Sequence, residues 1–142
     1  MLACDPIRFA ALVGWRIIAD PAALDAAPWP VSTEPGTSRV VRISPDDVFL
    51  IGATEPSIPG DAHAIVTPEH GFSGATISAT QLADIGLHHI EWAVPATRPA
   101  LAQGQIAGVP AKLVLDADGT ALLLVACAAQ HELEERLNGV QA

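Results

Sequence analysis

The chain has 142 residues, the usual size of one domain and enough to bury roughly two thirds of its unfolded surface around one core. Half of its residues are hydrophobic and 16% are charged, which excludes an intrinsically disordered segment. Net charge is −9 and Lys112 is the only lysine, so no basic stripe exists to neutralise phosphates, and nucleic acid and anionic membrane surfaces are excluded as partners.

In chain order, Asp5-Pro6 is a helix-start pair, and Ile7, Ala10, Ala11 and Val13 behind it predict a short helix to about Val13. Asp20-Pro21 repeats the device before Ala22, Ala23, Leu24 and Ala26, and Pro28 and Pro30 end that helix within two turns. Residues 27–38 read as an irregular connection. Residues 39–43 and 48–51 are β-rich and flank the turn-forming Ser44-Pro45-Asp46-Asp47, which predicts a hairpin. Residues 63–66 and 72–77 predict a second strand pair around Pro68-Glu69-His70-Gly71.

Ser78-Ala79-Thr80-Gln81 has the pattern of a capping box and predicts a helix from Ala79 to about Ile85, closed by Gly86, with residues 88–94 following as a strand. After Pro95 and Pro99 comes a short segment. Residues 111–115 and 121–125 flank Asp116-Ala117-Asp118-Gly119 as a further hairpin. Residues 128–137 predict a terminal amphipathic helix, with Leu133 and Leu137 one turn apart, Glu132 set against Arg136, and Gly139 as terminator. The expected fold class is α+β: an antiparallel sheet of hairpins packed against short helices, in a single domain over 1–142. Within it, residues 1–38 form an irregular or helical N-terminal segment and residues 39–138 the core.

The core is aliphatic, since the chain contains three Phe, three Trp and no Tyr. Cys4 and Cys127 lack C-x-x-C spacing, and a reduced cytoplasmic setting is expected. The first eighteen residues are interrupted by Asp5, Pro6, Arg8 and Arg16, so no signal peptide is expected, and no run approaches the ~20 apolar residues of a membrane span.

Candidate chemistry is sparse, and no catalytic residue is assigned. On a strand, His89 and Glu91 share one face and supply two metal ligands, but a third is not evident, so a solvated strand face is the favoured reading. Ser73 in Gly71-Phe72-Ser73-Gly74-Ala75 is close to a nucleophile elbow but has Ala75 in place of the final glycine. Cys127 sits among small apolar residues and reads as a buried hydrophobe. Asp46-Asp47 reads as a turn, and Gly104-Gln105-Ile106-Ala107-Gly108 lacks the spacing of a phosphate cradle. An apolar-rich chain without a catalytic set has surplus hydrophobic surface for another chain or a second copy of itself, with Trp15 and Trp92 as interface candidates.

The order of elements resembles the gamma subunit of heterotetrameric sarcosine oxidase, a relative of the glycine-cleavage T-protein fold. The likeness is carried by Ile43-Ser44-Pro45-Asp46-Asp47-Val48-Phe49-Leu50-Ile51-Gly52 and by the strand pair and short helix over 63–87. It continues through Gly104-Gln105-Ile106-Ala107 with Val109-Pro110-Ala111-Lys112-Leu113 and the closing helix over 128–137. Phe49 stands where that family has Trp, and nothing before Arg39 matches. The resemblance implies a non-catalytic accessory subunit of a flavin- and folate-linked amine oxidase complex. This chain would bind no cofactor, and FAD and tetrahydrofolate would belong to larger partner subunits. A weaker resemblance, to the glyoxalase-like superfamily, is carried by residues 87–95 and Asp116-Ala117-Asp118-Gly119. It implies a metal-dependent enzyme or ligand-binding protein, although residues 121–125 hold no carboxylate. A third reading is an interaction or regulatory domain of neither family.

Overall fold

The computed structural model of the chain describes residues 5–30 and 39–139, which divide into one unit within residues 12–70 and another built from the segments on either side. In chain order the elements are β1 (Ala10–Ala11), β2 (Gly14–Ile18), α1 (Pro21–Asp25), β3 (Arg39–Ser44), β4 (Asp47–Ile51), β5 (Ile65–Glu69) and β6 (Phe72–Ile77). Then come α2 (Ala79–His89), β7 (Ala100–Ile106), β8 (Val109–Leu115) and β9 (Ala121–Ala126), and a 3-10 turn (Cys127–Ala129) leads into α3 (Gln130–Asn138). The expected α+β class, with antiparallel hairpins and short helices, is what the chain adopts.

In the unit within 12–70, four strands run in the order β3-β4-β2-β5, all antiparallel. Alternation along β2 sends Ile17 to one face, where it joins Val48, Leu50, Ala23, Leu24 and Ile58 in an aliphatic core. Arg16 points to the other face, bonded to Asp47 through Nε and Nη2 (2.5 and 2.6 Å) and to Glu69 through Nη1 (3.1 Å). One guanidinium thereby joins three adjacent strands. The β3–β4 hairpin is bulged between Arg42 and Ser44, and Arg42 spans the bulge, donating to the carbonyls of Ser44 and Pro45 and to Asp25, the last residue of α1.

The flanking unit is a five-stranded antiparallel sheet, β1-β6-β9-β8-β7. Its inner face carries Ala75, Ile77, Leu113, Leu115, Leu123 and Val125, covered by Ile85 of α2 and Leu133 of α3. The hairpin over 111–125 packs on the two expected helices. The capping box at the start of α2 forms in both directions: Ser78 Oγ accepts from the Gln81 N–H, and Gln81 Oε1 accepts from the Ser78 N–H.

Four local expectations are corrected. Residues 5–9 form no helix: both backbone groups of Ile7 bond the Asn138 carboxamide, and the chain continues into β1 and β2. The strands over 65–69 and 72–77 do not pair with each other. β5 joins β2, with Pro68 opposite Trp15, whereas β6 lies between β1 and β9. Pro68 lacks an N–H to donate, which suits the edge position β5 occupies. α2 runs through Gly86 to His89, and residues 90–99 contain no strand. The edge of that sheet belongs instead to β7, whose Ala-Leu-Ala-Gln-Gly-Gln-Ile sequence carries little β signal. It is recruited by a two-residue turn in which Ala107 and Gly108 have φ of 51° and 80°.

Candidate functional site

A cleft of ≈ 720 Å³ opens where the end of α2 meets the β7–β8 turn, lined by Leu87, His88, His89, Glu91, Trp92 and Gln105 among others. Its walls are set by three bonds. The Ala107 N–H donates to the His89 carbonyl at 2.9 Å, fastening the hairpin turn to the helix end. Trp92 Nε1 donates to the Gln105 carbonyl at 2.8 Å. Arg136 of α3 donates to the Ala107 carbonyl at 2.7 Å from the far side.

Gly104 makes the Trp92 bond possible, because a Cβ there would lie 2.6 Å from the indole ring. The ring therefore rests against the strand backbone, half-buried, and packs against the buried core of its unit. Beside it Leu87 is 78% exposed, the most exposed large hydrophobic side chain among the described residues. This residue escaped the sequence reading, which ended the helix at Ile85. Only a helix continued past Gly86 turns residue 87 outward.

His89 and Glu91 line this cleft, but not as neighbours on one strand face: His89 is the last residue of α2, and Glu91 lies in the following loop. His88 meets Asp84 one turn earlier at 3.5 Å, both side chains exposed. Among the described residues no group of three His, Cys, Asp or Glu is arranged to hold a metal ion. The helix over 79–89 also occupies part of the stretch, residues 87–95, that the glyoxalase-like resemblance reads as a strand.

The other candidates have structural partners. Ser73 is fully buried; its Oγ donates to Gln130 Oε1 at 2.6 Å and lies 3.3 Å from Cys127 Sγ, which ties β6 to the start of α3. Cys127 is exposed, not buried as expected, because it falls just beyond β9 at the turn into α3. Asp46 accepts from Ser44 Oγ at 2.8 Å within the hairpin turn, and Asp47 is held by Arg16. Trp15 is half-buried against the core of its own unit. Cys4 and residues 31–38 lie outside the described residues.

No protein-family model and no curated protein matches the chain. Among solved structures, it matches a chain of the heterotetrameric sarcosine oxidase from Corynebacterium sp. U-96, in complex with pyrrole 2-carboxylate. The TM-score is 0.66 at 13% identity, over 92% of this chain and 80% of that one. The two share a fold, the T-protein-like fold of the gamma subunit to which the order of sequence motifs pointed.

Proposed function

We propose that this chain is a non-catalytic accessory subunit of a flavin- and folate-linked amine oxidase complex, acting through contact with larger chains in the cytoplasm. The observation that carries this reading is the fold shared, over most of both chains, with a component of a heterotetrameric sarcosine oxidase. Two features support it. The two imidazoles and one carboxylate of the cleft are not arranged, among the described residues, to hold a metal ion together, and a Leu exposed to 78% lines the same cleft as a half-buried indole. Indole surface of this kind is typical of interface anchors, and an exposed aliphatic side chain in the same cleft adds apolar area for a partner to bury. In this reading FAD and tetrahydrofolate bind to the partner subunits, this chain binds neither, and Leu87 and Trp92 are the principal contacts, with Trp15 a further candidate.

The test is co-expression with the products of neighbouring genes. Purified alone, the chain is expected to carry no flavin and to leave sarcosine unoxidised; with its neighbours it is expected to co-purify. Leu87→Asp is expected to weaken that association at least tenfold while leaving the circular dichroism spectrum unchanged, because residue 87 makes little contact within its own chain. A monomer that binds none of the neighbouring products, or that turns over a small amine unaided, overturns the reading.

A further inference from the structure

The outward face of the five-stranded sheet carries a second cleft, of ≈ 350 Å³, within the roughly 300–1,000 Å³ typical of small-molecule sites. It follows from strand register. One cross-strand row runs Gln103, Lys112, Leu124, Gly74; in the next, Gln105 lies opposite Pro110 and Ala126 opposite Phe72. Long side chains stand at the β7 end of both rows, and Phe72 closes the β6 end of the second. Between them Pro110 and Ala126 are short and Gly74 has no side chain, so a hollow forms over Leu124, which is fully buried beneath it.

Lys112, half-buried, stands in this hollow. Arg16, Arg42 and Arg136 each meet a carboxylate. Lys112 meets none among the described residues. An ammonium partly withdrawn from water without an acceptor has lost hydration that an anion would restore. Gln105, exposed at the rim, adds a carboxamide donor whose side chain is not used by the Trp92 bond, since that bond goes to the backbone carbonyl.

We propose that this hollow binds a small monocarboxylic acid, its carboxylate on Lys112 and Gln105 and its hydrocarbon body over Pro110, Leu124 and Phe72. A monoanion fits better than a phosphate ester, because a single ammonium in a chain of net charge −9 offsets one negative charge and not two. The apolar floor sets the other half of the preference: a carboxylic acid with a short aliphatic or aromatic body buries that body, whereas acetate has almost nothing to bury. This site shares Gln105 with the Leu87–Trp92 cleft but none of that cleft's other lining residues, and it does not depend on the accessory-subunit reading.

The test uses the whole chain, titrated with benzoate and with benzamide, its uncharged analogue, while backbone and side-chain amide resonances are followed by NMR. Benzoate is expected to shift Phe72, Gln105 and Lys112 saturably, with benzamide and acetate each at least tenfold weaker. Lys112→Met is expected to weaken benzoate tenfold or more and Lys112→Arg to retain binding, since Arg keeps the charge. Equal affinity for benzoate and benzamide, shifts confined to other residues, no saturable shift at millimolar benzoate, or full affinity in Lys112→Met each overturn the proposal. The benzoate–benzamide comparison needs no variant, so poor folding of a mutant cannot leave the question undecided.

Discussion

Asn138, the last residue of α3, grips Ile7 through both arms of its carboxamide: Oδ1 accepts the Ile7 N–H at 2.7 Å and Nδ2 donates to the Ile7 carbonyl at 2.8 Å. One side chain thus stands in for a strand partner at a segment that belongs to no sheet, and the Ile7 side chain enters the core beside it. Asn138→Ala is expected to lower stability by about 1–3 kcal/mol, because it leaves both backbone groups without that partner. Asn138→Asp keeps an acceptor for the N–H but sets a carboxylate against the Ile7 carbonyl, so it should recover only part of the loss. Urea denaturation midpoints and amide exchange at Ile7 test this; a wild-type midpoint in Asn138→Ala contradicts it.

Gly104→Ala is expected to displace the Trp92 ring, since the new methyl would sit 2.6 Å from it. The cost should be about 1–2 kcal/mol, from lost ring packing and the lost bond to Gln105. The Trp92 indole N–H resonance should move while those of Trp15 and Trp29 stay. In a double-mutant cycle, Trp92→Ala should remove most of the effect of the methyl. Additive losses would mean that the ring and the glycine are independent.

Arg16→Met is expected to destabilise the four-stranded sheet by about 1–3 kcal/mol, between the values for an exposed and a buried ion pair. The Arg16, Asp47 and Glu69 side chains are 29%, 15% and 22% exposed, and the substitution leaves the two carboxylates without their shared cation. Hydrogen bonding to Asp47 outweighs partial burial and raises the Arg16 pKa above the ordinary guanidinium value. A raised pKa gives stability that is complete below the unfolded value, so Arg16 adds no pH dependence of its own near neutrality. Arg16→Lys should recover little, because an ammonium cannot make the paired contact with Asp47. Chemical denaturation at pH 7 measures each step, and full recovery by lysine would argue against the paired geometry.

Asp61 accepts backbone N–H bonds from Asp20 and His63 at 2.9 and 2.8 Å, and these hold its carboxyl below the ordinary 3.8. A depressed folded pKa gives stability that is present above the unfolded value and lost as pH falls through the folded one. The wild type is therefore expected to lose an increment of stability as pH falls through the ordinary carboxylate range and below that Asp61→Asn does not lose, because Asn keeps one of the two acceptor oxygens and has no titrating proton. Matched thermal melts across that range decide it, and parallel acid limbs for the two proteins would contradict the assignment.

The features legible in the sequence are those whose causes lie within a few residues. Ser78 and Gln81 close a reciprocal cap with each other; Asp116-Ala117-Asp118-Gly119 turns one strand back on the next; Gly139, with φ of 75°, ends α3 because a glycine accepts that conformation at little cost. The same holds for the hairpin over 39–51. Part of the candidate cleft was visible in this way, since Trp92, His89 and Glu91 stand out by residue type. Their arrangement was not, because it depends on where α2 stops and on β7, a strand with almost no local signal.

Alternation of apolar residues and turn chemistry were enough, in the sequence alone, to determine an α+β chain of antiparallel hairpins with two capped or amphipathic helices on its larger sheet. The tertiary structure alone decided which strands are neighbours. Pro68 and Phe72 are four positions apart, yet β5, mostly exposed, takes an edge beside β2, while β6, mostly buried, takes an interior place between β1 and β9. It also decided that Gly86 would be inside a helix. The cost of a helical glycine, about 1 kcal/mol relative to alanine, is small beside the burial of Ile85 and the bond from Ala107 to His89 that the longer helix makes possible. Long-range contacts override local preference wherever the local preference is worth only a kilocalorie or so, and the loop, edge strand and helix end that shape this cleft are all such places.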